Sequence, residues 1–230
     1  MNKQNNGIGT LQEKSLHAAL KRWYARPGDA LEVPVSGYHI DIVRDTWLVE
    51  IQTANFTALK TKLKALLPDY KVRIVHPIAL ERWIQRVSED NQFITRRKSP
   101  KQGRIEEVFT ELVRLPDLAC HPNFYLEVLL IKEEVVWRDD GQGSWRRKGW
   151  SVADRRLIEV IDAIQFDKPE RYAALLPSDL LRPFTNLELS EHLDLRRSLA
   201  EKMTYCLRKM ALIDLVGKQG RNNLYSESKV

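Results

Sequence analysis

Two carboxylates and an amide stand where chemistry is easiest to imagine: Asp41, then Glu50 and Gln52. They interrupt two apolar stretches, 38–44 and 47–53, which read as strands joined by a short turn at Asp45-Thr46 and so as a hairpin. Side chains alternate faces along a strand, so Glu50 and Gln52 share one face and Val49 and Ile51 take the other. A tight hairpin brings Asp41 onto the face of Glu50. A buried carboxylate without a partner is costly, so two of them on a buried hairpin call for a counter-charge. Two carboxylates make an oxygen-rich pocket for a hard divalent cation, Mg²⁺ or Mn²⁺, which the backbone carbonyl of Ile51 can complete. Such an ion polarises a phosphate oxygen and lowers the pKa of a bound water, supplying the nucleophile for phosphodiester hydrolysis. Glu13, upstream on a helical segment, can add a ligand or orient a water. Gln52 can hydrogen-bond a water or a phosphate oxygen but carries no charge. Glu13, Asp41, Glu50 and Gln52 are therefore the expected catalytic set, with Asp41, Glu50 and Ile51 at the metal.

The surrounding pattern supplies elements to hold them. Residues 11–25 read as a helix, with Thr10 and Glu13 spaced as a capping box and Leu16, Ala19, Leu20 and Trp23 at helical intervals. Leu31, Val33 and Val35 alternate as a first strand, which Pro34 places at a sheet edge. After the hairpin, 56–67 reads as a helix capped by Asn55 and stopped by Pro68. A strand is expected at 71–77 and a helix at 78–87. The basic stretch 88–103 reads as a linker or loop. Beyond it come a helix at 104–115, strands at 125–138 and 144–150, and a helix at 153–164.

Asp41 followed by Glu50-x-Gln52, within the order helix, three strands, helix, strand, resembles the PD-(D/E)xK nuclease superfamily over roughly residues 8–85. The resemblance implies a restriction-endonuclease-like αβββαβ core, and Glu13 matches the helical glutamate that many members carry. It also marks a departure, because Gln52 stands where lysine is usual. Lys60 and Lys62 on the following helix are the nearby cations that can supply its charge.

The C-terminal segment reads as a short helix at 184–193, a turn, and a longer helix. Ser198 is the expected cap of that helix, and Glu201 closes the box. Leu199, Met203, Cys206, Leu207 and Met210 form one apolar stripe along it. A hairpin with a basic, glycine-rich tip follows. Over about 183–227 this resembles the winged helix-turn-helix family. Carried over position by position, the resemblance puts Arg196, Arg197, Lys202, Tyr205 and Lys209 on a DNA-facing helix, and Lys218 and Arg221 on the wing.

Composition excludes several classes. With 43% hydrophobic and 30% charged residues among 230, the chain can build a core and is not disordered. No apolar run approaches the roughly 20 residues of a membrane span. The polar start lacks the apolar core of a signal peptide, which makes a cytoplasmic location the expectation. Cys120 and Cys206 are too few for a zinc knuckle. Basic charge gathers at the ends: 13 Lys/Arg against 8 Asp/Glu in 1–88, and 9 against 7 in 175–230, but 15 against 16 between them. That suits a polyanionic partner. The reading is an α/β nuclease-like domain at 8–88, an α+β middle region of unassigned role at 89–175, and a winged helix at 176–230. The expected function is metal-dependent DNA endonuclease, with DNA as partner, and a second copy or a larger nucleic-acid machine as further partners. The alternative is a catalytically inactive DNA-binding regulator or adaptor that keeps the nuclease fold as scaffold.

Overall fold

A computed structural model describes residues 10–228, the side chains of 10–14 excepted. The chain is mixed α/β and divides into two compact units, each drawn from three stretches. One comprises Met1–Asp29, Pro77–Arg104 and Leu129–Ala163; the other comprises Ala30–His76, Ile105–Val128 and Ile164–Val230. Helix α1 (Thr10–Tyr24) precedes strands β1 (Ala30–Val35), β2 (Tyr38–Arg44) and β3 (Trp47–Ile51). A 3-10 turn (Phe56–Leu59) leads into α2 (Lys60–Leu66), and β4 (Lys71–Val87) follows. Then come β5 (Phe93–Lys98), α3 (Phe109–Leu112), β6 (Phe124–Arg138), β7 (Ser151–Phe166) and α4 (Glu170–Ala173). The chain ends in α5 (Asn186–His192), α6 (Arg197–Lys209), β8 (Ile213–Gln219) and β9 (Asn222–Glu227). One sheet runs β1-β2-β3-β4-β6-β7, with β5 added on β4, and a second holds β8 and β9.

In the second unit, β1, β2 and β3 form an antiparallel meander, and β4 lies parallel to β3 with Glu50 beside Ile74. Asp45 turns between β2 and β3 at positive φ, as the hairpin requires. β1 is the edge strand that Pro34 implies. Leu48, Val49 and Ile51 are all buried, as befits a strand covered on both faces. Leu59, Leu63, Leu66 and Leu67 are buried at helical spacing along α2.

The start of that helix differs from its expectation. Asn55 holds the N-cap position in the left-handed region, and its side chain caps nothing. The Phe56 N–H is satisfied instead by a Glu111 carboxylate oxygen 2.9 Å away, from the end of the 105–112 segment. That segment is itself a 3-10 turn (Ile105–Val108) running into the single turn of α3, not one continuous helix. The capping box of the C-terminal part is displaced likewise. Ser198 lies inside α6, whose N-cap is Arg196 without a side-chain bond. The box belongs to α5, where Thr185 and Glu188 bond each other's backbone N–H at 3.2 and 2.7 Å. The pairing of Thr10 with Glu13 falls outside the described side chains.

The first unit departs furthest from the sequence pattern. Residues 78–87 continue β4 as strand, 93–98 form β5 within the expected loop, and 153–164 belong to β7. Only a 3-10 turn (Trp145–Arg147) stands where a strand was expected at 144–150. Ala79, Leu80, Glu81 and Gln85 favour helices in isolation, but non-local pairing overrides so weak a preference. β5 pairs along β4, with Gln85 opposite Arg96. Fully buried Glu133 on β6 takes Arg82 of β4 at 2.5 Å and Arg155 of β7 at 2.7 Å. A carboxylate so buried is tolerable only between such partners, which fixes all three segments as neighbouring strands.

The remote cap gives a test. Glu111→Ala leaves the buried Phe56 N–H without an acceptor and should cost about 1–2 kcal/mol in urea unfolding. Asn55→Gly, which keeps the left-handed turn and removes no cap, should cost nothing measurable.

Candidate functional site

The hairpin register sets the site. Ile42 pairs with Val49 and Val43 with Leu48, so the ladder carries Asp41 opposite Glu50 on the same face. Asp41 does more than face its neighbour: its Oδ2 accepts the Ile51 N–H at 2.8 Å. The carboxylate thereby ties β2 to the end of β3. Ile51 itself is 2% exposed, so its backbone lies within the protein and beside both acids.

Glu50 is a buried acid, 7% exposed. Lys62, in the first turn of α2, donates from Nζ to Glu50 Oε1 and to the His39 carbonyl. The lysine thus joins the helix to both strands of the hairpin. Burial pushes the Glu50 carboxyl above its ordinary range; the Lys62 ammonium pulls it back, and the Asp41 charge adds to the upward push. Because burial dominates, ionising Glu50 opposes folding. Its contribution to stability is full below the ordinary glutamate pKa and is lost as pH rises through the raised value.

Gln52 is placed otherwise than a water-orienting group requires. β3 ends at Ile51, and the Gln52 amide nitrogen folds back onto the carbonyls of Ala54 and Asn55. Its backbone N–H bonds Val75 of β4 at 2.9 Å. Its carbonyl accepts from Nδ1 of buried His76 at 2.7 Å, and a carbonyl can only accept, so that nitrogen bears the proton. The His76 ring meets Phe56 edge-on at 5.0 Å. Gln52 and His76 thus shape the turn that aims α2, and with it Lys62, at Glu50. The Glu13 side chain lies outside the described residues.

The donor set suits a hard cation. The side chains that face each other there, Asp41 and Glu50, offer carboxylate oxygen, the donor that such an ion prefers. Among the described residues no group of three His, Cys, Asp or Glu converges as a metal cluster.

Of the residues expected to face DNA, Arg196, Tyr205 and Lys209 are exposed on or beside α6, and Lys202 is half-buried. Arg197 is exposed but engaged, reaching Glu201 at 3.2 Å and Asn222 at 3.1 Å. Lys218 and Arg221 are exposed on the β8–β9 hairpin. Arg208 shares the exposed side of α6 and was missed in the sequence, although it falls one turn beyond Tyr205. Thr204 donates to Asn186 at 2.7 Å, locking α6 to α5. Residues 184 and 225 exchange backbone bonds at 2.9 and 2.8 Å, joining the segment before α5 to the hairpin. No helix among the described residues is long and apolar enough to cross a membrane.

Titration of Glu50 by carbon-13 NMR should show a midpoint above the ordinary glutamate value. Lys62→Met should move it further up and Asp41→Asn should bring it down, since one removes a lowering interaction and the other a raising charge.

Known proteins are similar to this chain in two ways. A family model described as "Domain of unknown function (DUF8091)" matches residues 14–167, from α1 through β7. An "Uncharacterized protein" of Treponema pallidum (strain Nichols) is 35% identical over 185 residues, which are 80% of this chain and 74% of that protein. No solved structure matches significantly.

Proposed function

This chain belongs to the family of the domain of unknown function DUF8091, and we propose that it is a metal-dependent nuclease acting on DNA. In this reading Asp41, Glu50 and the Ile51 backbone hold Mg²⁺ or Mn²⁺ in a core of the PD-(D/E)xK kind. The observation that carries the proposal is the facing pair Asp41–Glu50, held at the end of a buried hairpin with Lys62 upon it. A divalent ion held there would supply Lewis acidity toward a water and a phosphate oxygen. Asp41 and Glu50 hold the ion's charge. Lys62 fixes the Glu50 carboxylate through one hydrogen bond and keeps a positive charge at the site. It takes the place that the resemblance gives to a lysine at position 52. Gln52 acts through the turn rather than on the substrate. The helix pair and hairpin of 184–227 serve as a winged helix, with Arg196, Arg197, Lys202, Tyr205, Lys209, Lys218 and Arg221 facing DNA. Most such contacts go to phosphate and set position rather than sequence.

The test is cleavage of plasmid and linear DNA with Mg²⁺ or Mn²⁺. Asp41→Ala and Glu50→Ala should abolish cutting while DNA binding persists. Lys62→Ala should slow it by about 10²-fold, as for removal of one positioned catalytic charge. Gln52→Ala should cost less than Lys62→Ala. Cleavage at the wild-type rate in Asp41→Ala or Glu50→Ala rules out this site. DNA binding with no cleavage under any divalent metal leaves the alternative, a regulator or adaptor that retains the scaffold.

Binding through the C-terminal part has its own measure. Lys209→Ala with Lys218→Ala should weaken binding to all sequences alike. It should also flatten the dependence of log K on log salt by about 0.9 for each phosphate no longer neutralised. An unchanged slope would place the DNA elsewhere.

A further inference from the structure

The first unit carries a loop built with more care than a connection needs. Between β6 and β7 the chain runs Ser144-Trp145-Arg146-Arg147-Lys148-Gly149. Backbone bonds close it: Gly143 N–H to the Gly149 carbonyl at 2.7 Å, Lys148 N–H to Trp145 at 3.0 Å, and Trp150 N–H to Arg147 at 3.1 Å. Arg147 donates from Nε to the Trp150 carbonyl at 3.0 Å, and Ser151 donates to Asp140 at 2.6 Å. A Cβ on Gly143 would meet the Trp150 carbonyl oxygen at 1.9 Å, so the two arms touch closely enough to require glycine.

The two tryptophans at this loop are treated in opposite ways. Trp150 lies half-buried under the Arg86 guanidinium, 4.9 Å from the ring centre, and the same guanidinium lies 5.9 Å from Trp137. Trp145, five residues earlier, is 83% exposed. Among the described residues the one group over its ring is the Arg146 guanidinium, 5.5 Å from the ring centre. Arg146 and Lys148 make no ion pair among the described residues, and the flanking acids Asp140 and Asp154 are held by Ser151 at 2.6 Å and Arg156 at 3.0 Å. A preorganised loop therefore offers an aromatic face flanked by unneutralised cations.

We propose that the 144–149 loop docks single-stranded nucleic acid, with a base stacked on Trp145 and flanking phosphates at Arg146 and Lys148. The proposal rests on the reading of a nucleic acid as the substrate, and adds to it a contact with strands whose bases are unpaired. Base stacking on an aromatic side chain tolerates any sequence, and adjacent cations track the backbone. Closure of the loop before binding spares the ordering cost that a floppy segment would incur.

The experiment is fluorescence anisotropy of the full chain with a short fluorescein-labelled oligothymidylate in EDTA, so that nothing is cut. Trp145→Ala should weaken binding about tenfold, within the range for one stacked base. Trp145→Phe should retain most of it. Arg146→Ala with Lys148→Ala should flatten the salt dependence by about 1.4, two single-strand phosphates at about 0.7 each. Circular dichroism should show all variants folded. Wild-type affinity in folded Trp145→Ala overturns the proposal. So does a Trp145-dependent attachment to phosphatidylserine vesicles with no effect on the oligonucleotide. If Trp145→Ala binds normally while Asp41→Ala still abolishes cleavage, the docking loop fails and the nuclease reading stands. If the strand binding depends on Trp145 but no metal supports cutting, the loop stands and the nuclease reading fails.

Discussion

A carboxylate taken out of water gains from a cation beside it, and Glu50 has Lys62. That ion pair organises the second unit around itself. It needs β3 to be buried, so that Glu50 leaves water. It needs α2 to start at one particular place after the strand, so that Lys62 arrives. It needs the hairpin register that puts Asp41 alongside, where the like charge adds to the upward push on Glu50. Removing Glu50 would leave the Lys62 ammonium without its carboxylate, and removing Lys62 would push the Glu50 carboxyl further up. The lysine also holds the His39 carbonyl, so one ammonium spans helix and both hairpin strands. The arrangement uses few residues but is exacting in placement.

How far the sequence reveals this depends on how local each cause is. The hairpin was legible because period-two alternation, a two-residue turn and Pro34 all act within a few residues. Asp41 opposite Glu50 follows from register alone. Lys62 was legible as a residue type but not as a position. The first turn of its helix is 3-10, and four residues wound at three per turn advance about 80° further than at 3.6. Its direction from the sheet therefore depends on a winding that composition does not betray. Gln52 misled for a related reason: alternation predicts a shared face with Glu50 only while the strand continues, and it stops one residue earlier.

The long strands were illegible for a different reason. Residues 78–87 and 153–164 contain good helix formers with apolar residues at helical intervals. What makes them strands is what lies beside them, chiefly Glu133 between Arg82 and Arg155. Such a partnership joins residues more than 20 and more than 50 positions apart, and no window along the chain contains it. The C-terminal part shows a milder case. The interval read at Ser198 and Glu201 forms no box, and the box that does form joins Thr185 and Glu188 one helix earlier. Its helix and hairpin were nonetheless readable, since an apolar stripe and a glycine-bearing turn are local signals.

The carboxylate that receives the Phe56 N–H comes from Glu111, 55 residues downstream. An end cap borrowed from so far along the chain gives the protein an order of assembly. While the polypeptide is being made, both acids and Lys62 emerge well before the segment that finishes the helix carrying the lysine. A chain that stops short of residue 111 holds Asp41, Glu50 and Lys62 but lacks the carboxylate that caps the helix carrying the lysine. The start of that helix is therefore complete only once the later segment has been made and has folded against it.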